Sequence, residues 1–248
     1  MSTARDGEPA DPWERHAGWW QERYTDGADP EYEEQVLPLV DEYLAGATRV
    51  VDVGCGEGQV SRRVAQLGAD VVGVDPTVAQ VTVARERGGG PHYVLAGAEA
   101  MPLRDGSFDA ALSCLVFEHL DPFEPAIAEV ARVLGPGGRF ALFLNHPLLQ
   151  APGSGWVIDH ILDEQYWRVG PYLPDDHAME EVAPGVDLPF MHRPLYRYVN
   201  ELAAHGLFIE RVEEPPPAPG FLARAPEYTD AVTIPRLLLL VTSKKQAR

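Results

Sequence analysis

The chain has 248 residues, 45% of them apolar, which suits one elaborated α/β domain with a large core. Its formal net charge of -18 argues against duplex DNA and folded RNA as partners, because nucleic-acid binding rests on basic residues that neutralise phosphates. The sequence has neither an apolar run of roughly 18 residues nor a basic, apolar leader, so we expect a cytoplasmic protein without a membrane segment.

Residues 1–45 are predicted to form a polar N-terminal tail and a helical lid. The first twelve residues are rich in Pro, Gly and charge, which predicts disorder. An aromatic group follows, and then residues 36–44 show an apolar pattern with helical spacing. We expect this lid to lie over the ligand site of the core, with Trp19, Trp20 and Tyr24 contacting a substrate.

The segment VVDVGCGEGQ, residues 50–59, is the most informative part of the sequence. An apolar run of strand length stops at Gly54, Gly56 and Gly58, and a helical pattern begins directly afterwards. Such a turn lets a ligand approach the bare backbone, and the unpaired NH groups at the helix start attract negative charge. Asp75 ends the next predicted strand and can accept hydrogen bonds from both hydroxyls of a ribose. The segment therefore predicts a nucleoside-binding site.

Two details distinguish the classes of nucleoside site. Nicotinamide and flavin sites use G-x-G-x-x-G, whereas the third glycine here follows after one residue. A P-loop needs a lysine directly after its last glycine, and the two lysines of this chain lie near its C-terminus. Asp52 precedes the first glycine, where a carboxylate would repel a pyrophosphate and suit a ligand with an ammonium group. A plain structural turn between strand and helix is the alternative.

Strand and helix patterns alternate through the core, residues 46–145, which predicts a parallel sheet. A helix is predicted to begin at Asp121 as N-cap, with Pro122 in its first turn, and to stop at Gly135. The segment 194–248 is expected to add a helix and the last two strands. The predicted strands are residues 49–54, 69–75, 92–96, 108–114, 139–145, 207–213 and 236–242.

Residues 146–193 form a long connection after the fifth predicted strand. A connection of this length in a compact α/β domain is usually functional, and it leaves the carboxyl edge of the sheet, where such folds bind ligands. We predict a substrate cap; the alternative is that its aromatic residues only pack it against the core. The substrate-binding candidates in and just after this segment are Trp156, Tyr166, Trp167, Arg193 and Tyr196.

Taken together, these residues resemble the class I S-adenosylmethionine-dependent methyltransferases, whose first motif commonly reads as an acidic residue, any residue, and G-x-G-x-G. The resemblance continues through Asp75-Pro76 and residues 98–103, 107–110 and 132–139. The small-molecule branch, typified by quinone and natural-product methyltransferases, is the most similar. The resemblance implies a Rossmann-like, seven-stranded, mostly parallel sheet with a helical leader and an inserted cap. It also implies S-adenosylmethionine (SAM) as cofactor and S-adenosylhomocysteine (SAH) as product.

The same resemblance implies the roles of the cofactor-binding residues. The glycine turn would line the methionine part, Asp75 would hold the ribose, and Ala98 and Glu99 would lie beside adenine. Many relatives carry an aspartate where this chain has Gly97, so Glu99 or a backbone carbonyl has to accept from the adenine amino group. The full predicted set is Asp52, Gly54, Cys55, Gly56, Gly58, Asp75, Pro76, Ala98, Glu99 and Ser113.

Methyl transfer from a sulfonium is an in-line displacement that needs alignment and exclusion of water, and no covalent nucleophile. A base is required only for a hydroxyl, a carbon acid or a protonated amine. His119, His146 and His192 are the candidates, at most one of them acting as base, and each has an alternative as a packing histidine. Glu118 is predicted to face the substrate. No metal is predicted, although Asp159-His160 and residues 175–177 raise that alternative.

The sequence thus predicts a SAM-dependent methyltransferase that methylates a small molecule at an oxygen, nitrogen or carbon atom. The alternative is a protein that binds SAM without methylating, as a sensor, a partner subunit or a catalyst of another reaction on this scaffold. A homodimer is an open alternative to a monomer.

Overall fold

Apolar strands rich in valine form the core of the protein. The computed structural model describes residues 11–25 and 27–245. The strands are β1 Arg49–Val53, β2 Asp70–Asp75, β3 His92–Leu95, β4 Phe108–Cys114, β5 Leu134–Asn145, β6 Gly155–Asp159, β7 Glu164–Arg168, β8 Asp176–Ala183, β9 Val186–His192, β10 Leu207–Glu213 and β11 Leu237–Lys244. The α-helices are α1 Pro12–Arg23, α2 Leu37–Leu44, α3 Gln59–Gln66, α4 Val78–Arg87, α5 Glu124–Val133, α6 Pro147–Gln150, α7 Leu195–Ala204 and α8 Pro219–Arg224.

Seven strands form one sheet in the order β10-β11-β5-β4-β1-β2-β3. The five strands from β5 to β3 pair in parallel, and β11 pairs antiparallel with both β5 and β10. The order reverses between β1 and β4, and ligands of open α/β folds bind in the crevice at the carboxyl ends of such strands. The predicted seven-stranded, mostly parallel Rossmann-like fold is confirmed.

The core consists of two apolar layers, one on each face of the sheet. One layer includes Ile127 of α5 and Leu202 of α7, and the other includes Val40 of α2 and Val64 of α3. Because both faces are covered, the central strands are buried almost along their whole length, as parallel sheets require. This packing fixes the strand ends that carry the site.

Two predicted boundaries around α5 need correction. Asp121 does not cap the helix, because its carboxylate lies 3.2 Å from a guanidinium nitrogen of Arg193, and α5 begins only at Glu124. Gly135 does not end the helix either: α5 ends at Val133, and Gly135 lies inside β5, which begins at Leu134.

The N-terminal leader lies against α4. Helix α1 begins at Pro12, inside the predicted tail, and Asp11 caps it by accepting from Trp13 N at 2.9 Å. Gln21 donates to Gln80 Oε1 of α4 at 2.9 Å. The rest of the predicted tail, residues 1–10, lies outside the described residues.

The segment predicted as a cap folds into two antiparallel hairpins apart from the main sheet, β6 with β7 and β8 with β9. Strand β9 turns alternate residues inward, among them Phe190 and His192, and contacts α1 and the 3₁₀ turn Phe117–His119. The β6–β7 hairpin buries none of its strand residues. Among the helices of the described chain, none combines the length and apolarity that crossing a bilayer would require.

Candidate cofactor and acceptor site

The glycine turn joins β1 to α3 in a conformation that requires glycine. Gly54, Gly56 and Gly58 have φ angles of 75°, 53° and 84°. A Cβ added at Gly54 would lie 2.4 Å from Val116 Cγ2, and one at Gly58 would lie 2.2 Å from the Tyr93 hydroxyl. The turn therefore packs closely on both sides and leaves backbone as one wall of the site.

Asp75 lies at the carboxyl end of β2, beside the glycine turn. Its Oδ2 accepts from Gly56 N at 2.9 Å, and its Oδ1 accepts from Thr77 N at 2.8 Å. Burial raises the pKa of this carboxyl, and the two NH donors oppose the shift. Each carboxylate oxygen keeps a lone pair, so Asp75 is fixed in place and can still accept hydrogen bonds from a ligand diol.

Asp52 is the second buried carboxyl of the turn. Ser61 Oγ donates to its Oδ2 at 2.6 Å. Burial raises the pKa of Asp52 to about 7, and the nearby Asp75 carboxylate adds to the shift. Near neutral pH both the protonated and the ionised form of Asp52 are therefore populated, and a cationic ligand would favour the ionised form.

Glu99 occupies the space next to Gly97 after β3. A Cβ built on Gly97 would lie 2.3 Å from Glu99 Oε1 and 2.4 Å from Oε2. The Glu99 carboxylate therefore curls back to the place where a side chain of residue 97 would begin.

A cavity of about 280 Å³ connects these groups to the leader. Its lining includes Trp13 and Trp20 of α1 and Tyr24, which directly follows α1. Tyr32, at the start of the π-helical turn Tyr32–Val36, also lines it. The Trp20 and Tyr24 rings stack at a centroid distance of 4.2 Å, and Trp13 meets Trp20 edge-on at 5.5 Å. We call Trp13, Trp20 and Tyr24 the aromatic wall.

His119 lies in the same cavity, after β4. Its Nδ1 donates to Pro189 O of β9 at 2.7 Å, which leaves the lone pair on Nε2. The imidazole packs against the rings of Trp13 and Phe190, with centroids 4.7 Å and 5.1 Å away. Burial lowers the pKa of His119, so the ring is neutral at physiological pH and Nε2 can take up a proton.

Comparison with known proteins identifies the core of this site. Residues 51–142 match a family model described as a methyltransferase domain. A solved S-adenosylmethionine-dependent methyltransferase from Mesorhizobium loti superposes with a TM-score of 0.73 at 29% identity, over 86% of this chain and 97% of that one. Residues 51–142 carry a class I SAM-dependent methyltransferase domain. Its cofactor is SAM.

Two curated relatives match about half of this chain. An uncharacterized methyltransferase of Mycobacterium tuberculosis is 40% identical over 136 residues, which cover 55% of this chain and 52% of that protein. The ubiquinone/menaquinone biosynthesis C-methyltransferase UbiE of Methylobacterium nodulans is 38% identical over 133 residues, covering 50% of this chain and 51% of the relative. The chain thus spans about half the length of the curated relatives it matches.

Three carboxylates of the domain fit SAM, the buried Asp52 and Asp75 and the exposed Glu99. Asp75 offers lone pairs to the ribose, and Asp52 offers a negative charge to the ammonium group of the methionine part. Glu99 offers the acceptor that the aspartate at the position of Gly97 supplies in many relatives. These assignments stay predictions, and the last of them has a direct test.

We expect Glu99→Ala to weaken SAM binding about 3- to 10-fold, since the hydrogen bond is to a charged but partly solvated acceptor. Gly97→Asp alone should change binding little, because its Cβ meets only the flexible end of the exposed Glu99 side chain, which can move aside. The double variant Glu99→Ala/Gly97→Asp moves the acceptor to the other residue. Calorimetric titration should find its affinity within about threefold of the original; no recovery would contradict the role of Glu99.

The other two candidate histidines have structural partners outside the cavity lining. His146 caps α6 by accepting from Leu148 N on Nδ1 at 3.1 Å, and its Nε2 donates to Glu214 at 2.8 Å. His192 Nε2 donates to Tyr172 O at 2.8 Å. Of the three candidates, the structure brings His119 alone to the cofactor cavity.

The cavity collects part of the predicted set. It includes Trp20, Tyr24, Asp52, Gly54, Cys55, Gly56, Asp75, Pro76, Ala98, Glu99 and His119. The predicted residues outside its lining are Trp19, Gly58, Ser113, Glu118, His146, Trp156, Tyr166, Trp167, His192, Arg193 and Tyr196.

Contacts explain why several predicted residues lie elsewhere. Ser113 Oγ donates to Val53 O at 2.8 Å inside the sheet, and Glu118 accepts from the Asn145 backbone and side chain. Arg193 is buried and donates to Phe117 O at 3.2 Å, which fixes the turn next to His119. The three cap aromatics belong to the β6–β7 hairpin, and Tyr196 is half exposed on α7.

Some lining residues were not predicted from the sequence, chiefly Trp13, Thr25, Tyr32 and Gln80. Trp13 and Trp20 are seven residues apart on α1, a helical spacing that places them on one face and could have identified Trp13. In the described residues, His, Cys, Asp and Glu form no group of three or more placed to hold a metal ion.

Proposed function

We propose that this chain transfers the methyl group of SAM to a small molecule held between the aromatic wall and His119. One observation carries the proposal: a single cavity joins the glycine turn and Asp75 to His119 and the leader aromatics. The cavity volume of about 280 Å³ supports a small acceptor. The net charge of -18 supports an acceptor other than a nucleic acid.

The bound cofactor supplies an activated methyl group, and the residues of the chain align and shelter it. The turn and Asp75 hold the nucleoside, and the aromatic wall excludes water from the reacting atoms. His119 accepts a proton from the acceptor on Nε2, while Pro189 O holds the ring in the required tautomer. A protein that binds SAM without methylating needs no such base in the cavity.

Calorimetric titration with SAM and SAH, with NADH as control, tests the cofactor half of the proposal. We expect micromolar dissociation constants for SAM and SAH and no response to NADH. Because Asp52 has a pKa of about 7 when free, binding of the ammonium group should release a proton at pH 6 and little at pH 8. Titrations in buffers of different ionisation enthalpy measure this release. No binding of either compound would contradict the proposal.

Formation of SAH distinguishes a methyltransferase from a protein that binds SAM without methylating. Incubation with SAM and a small-molecule library should yield SAH with at least one acceptor. Binding of SAM with no turnover across the library would favour the non-methylating alternative. Cytoplasmic location and a homodimer stay predictions.

A further inference from the structure

The cavity is strongly biased towards negative charge. Asp11, Asp52, Asp75 and Glu99 all line it, and among the described lining residues none is lysine or arginine. Glu57 also lines it, but two arginines of α3 and α4 pair with that carboxylate. SAM brings one net positive charge, so the acidic residues still outweigh the charge of the bound cofactor.

Further carboxylates are buried behind the acceptor end. Asp29 is only 8% exposed and accepts from Glu31 N at 2.8 Å. It contributes, after burial and together with Glu31, to the raised pKa of Tyr24 in the aromatic wall, and Arg224 and Arg23 oppose that shift. Glu118 is 3% exposed, and its Oε2 has no hydrogen-bond partner among the described residues. Buried carboxylates therefore continue from the cofactor end to the aromatic wall, where the two arginines offset part of their charge.

The aromatic wall favours the same sign of ligand charge. The faces of indole and phenol rings attract cations, most strongly where water is excluded. Trp13 provides such a ring next to His119, and Trp20 and Tyr24 continue the cavity wall from Trp13. An acceptor that ionises to an oxyanion would meet these π-electrons and the carboxylates, and no lysine or arginine among the described lining residues would neutralise it.

We propose that the acceptor is an amine on an apolar or aromatic skeleton, and that the chain methylates its nitrogen. This inference rests on the proposed methyl transfer and names its substrate class. The negative potential captures the ammonium form, and the positive charge that passes from sulfur to nitrogen during the reaction stays within that potential.

The step balances without another reactant. The ammonium form first gives a proton to Nε2 of His119, which frees the nitrogen lone pair. The nitrogen then bonds to the methyl carbon as the carbon–sulfur bond breaks, and that electron pair stays on sulfur as SAH. The product leaves as the methylated ammonium ion, and His119 returns its proton to solvent.

Matched probes test the charge preference on protein saturated with SAH. The probes are 2-arylethylamines that carry a benzene, naphthalene or indole ring. Calorimetry compares each amine with the 2-arylethanol and the 3-arylpropionic acid of the same ring. For at least one ring system we expect the amine to bind about tenfold or more tightly than the alcohol, with the acid weakest. With SAM in place of SAH, the same amine should yield an N-methylated product.

The variant Asp29→Asn tests the origin of the preference, because its amide oxygen can still accept from Glu31 N. We expect the amine-to-alcohol preference to fall about threefold or more. Asp70→Asn removes the same charge at the exposed amino end of β2 and should leave the preference unchanged.

The outcomes are distinguishable. Failure of SAH to bind would contradict the proposed function itself. If SAH binds, equal or tighter binding of the alcohols or acids, or no binding of any probe, would overturn the amine inference alone. An unchanged preference in Asp29→Asn would also count against it.

Discussion

His119→Ala is expected to lower kcat by about 10²- to 10⁴-fold, the usual contribution of a positioned base, while SAM affinity stays within about twofold. His119 lines the acceptor end of the cavity, and its Nδ1 proton is committed to Pro189 O. His119→Gln keeps a donor for that carbonyl and removes the base. If both variants lose turnover alike, loss of the proton acceptor and not of packing is responsible. Steady-state rates with a saturating acceptor measure the effect.

The pH profile adds a second readout. Burial lowers the pKa of His119 below its ordinary value of 6.5, so the basic form persists into mildly acidic solution. The acidic limb of the rate profile assigned to this group should lie below pH 6.5 and should disappear in His119→Gln. The half-exposed His205, paired with Glu201 on α7, provides the control, since His205→Ala should leave rate and profile unchanged. Full activity of His119→Ala would contradict a role as base.

The cofactor half of the site could be predicted because its signals are local. Strand, turn and helix follow one another within residues 49–66, and three glycines with positive φ can be inferred from a short motif. Asp75 follows from the end of the next strand. Parallel pairing then places both strand ends at one edge of the sheet, so contiguous sequence was sufficient.

The acceptor half depends on contacts between distant segments, and there the sequence was a weaker guide. His119 and His146 follow predicted strands and His192 lies near the end of the predicted cap, but partners remote in sequence decide their roles. His119 donates to Pro189 O, and His146 donates to the Glu214 carboxylate. No periodicity indicates such partners.

The cap aromatics illustrate the same limit. The alternating apolar residues of β9 indicate which face of that strand is buried, but not which element covers the face. Strand β9 packs Phe190 against His119, whereas the β6–β7 hairpin carries Trp156 and Trp167 away from the cavity lining. Composition identified the segment, and only the packing of β9 on α1 shows which part meets the site.

Asp75→Asn is expected to weaken SAM binding about 5- to 150-fold, corresponding to the loss of hydrogen bonds between a charged acceptor and the ribose, about 1 to 3 kcal/mol. In the original chain, Gly56 N and Thr77 N both donate to the Asp75 carboxylate. The amide of the variant keeps one acceptor oxygen, so its NH₂ group has to face the other of these two donors. The turn is therefore also less well ordered before binding. Removing the charge should at the same time lower the pKa of Asp52, because Asp75 is one cause of its raised value.

Binding and folding effects of this substitution must be separated. Chemical denaturation of the free protein gives the change in unfolding free energy, and titration below the transition gives the dissociation constant. Asp70→Asn changes an exposed carboxylate at the other end of the same strand and should alter neither quantity by more than about 0.5 kcal/mol. If Asp75→Asn binds SAM as tightly as the original chain does, the ribose lies elsewhere. The buried carboxylate would then serve only to order the glycine turn through Gly56 and Thr77.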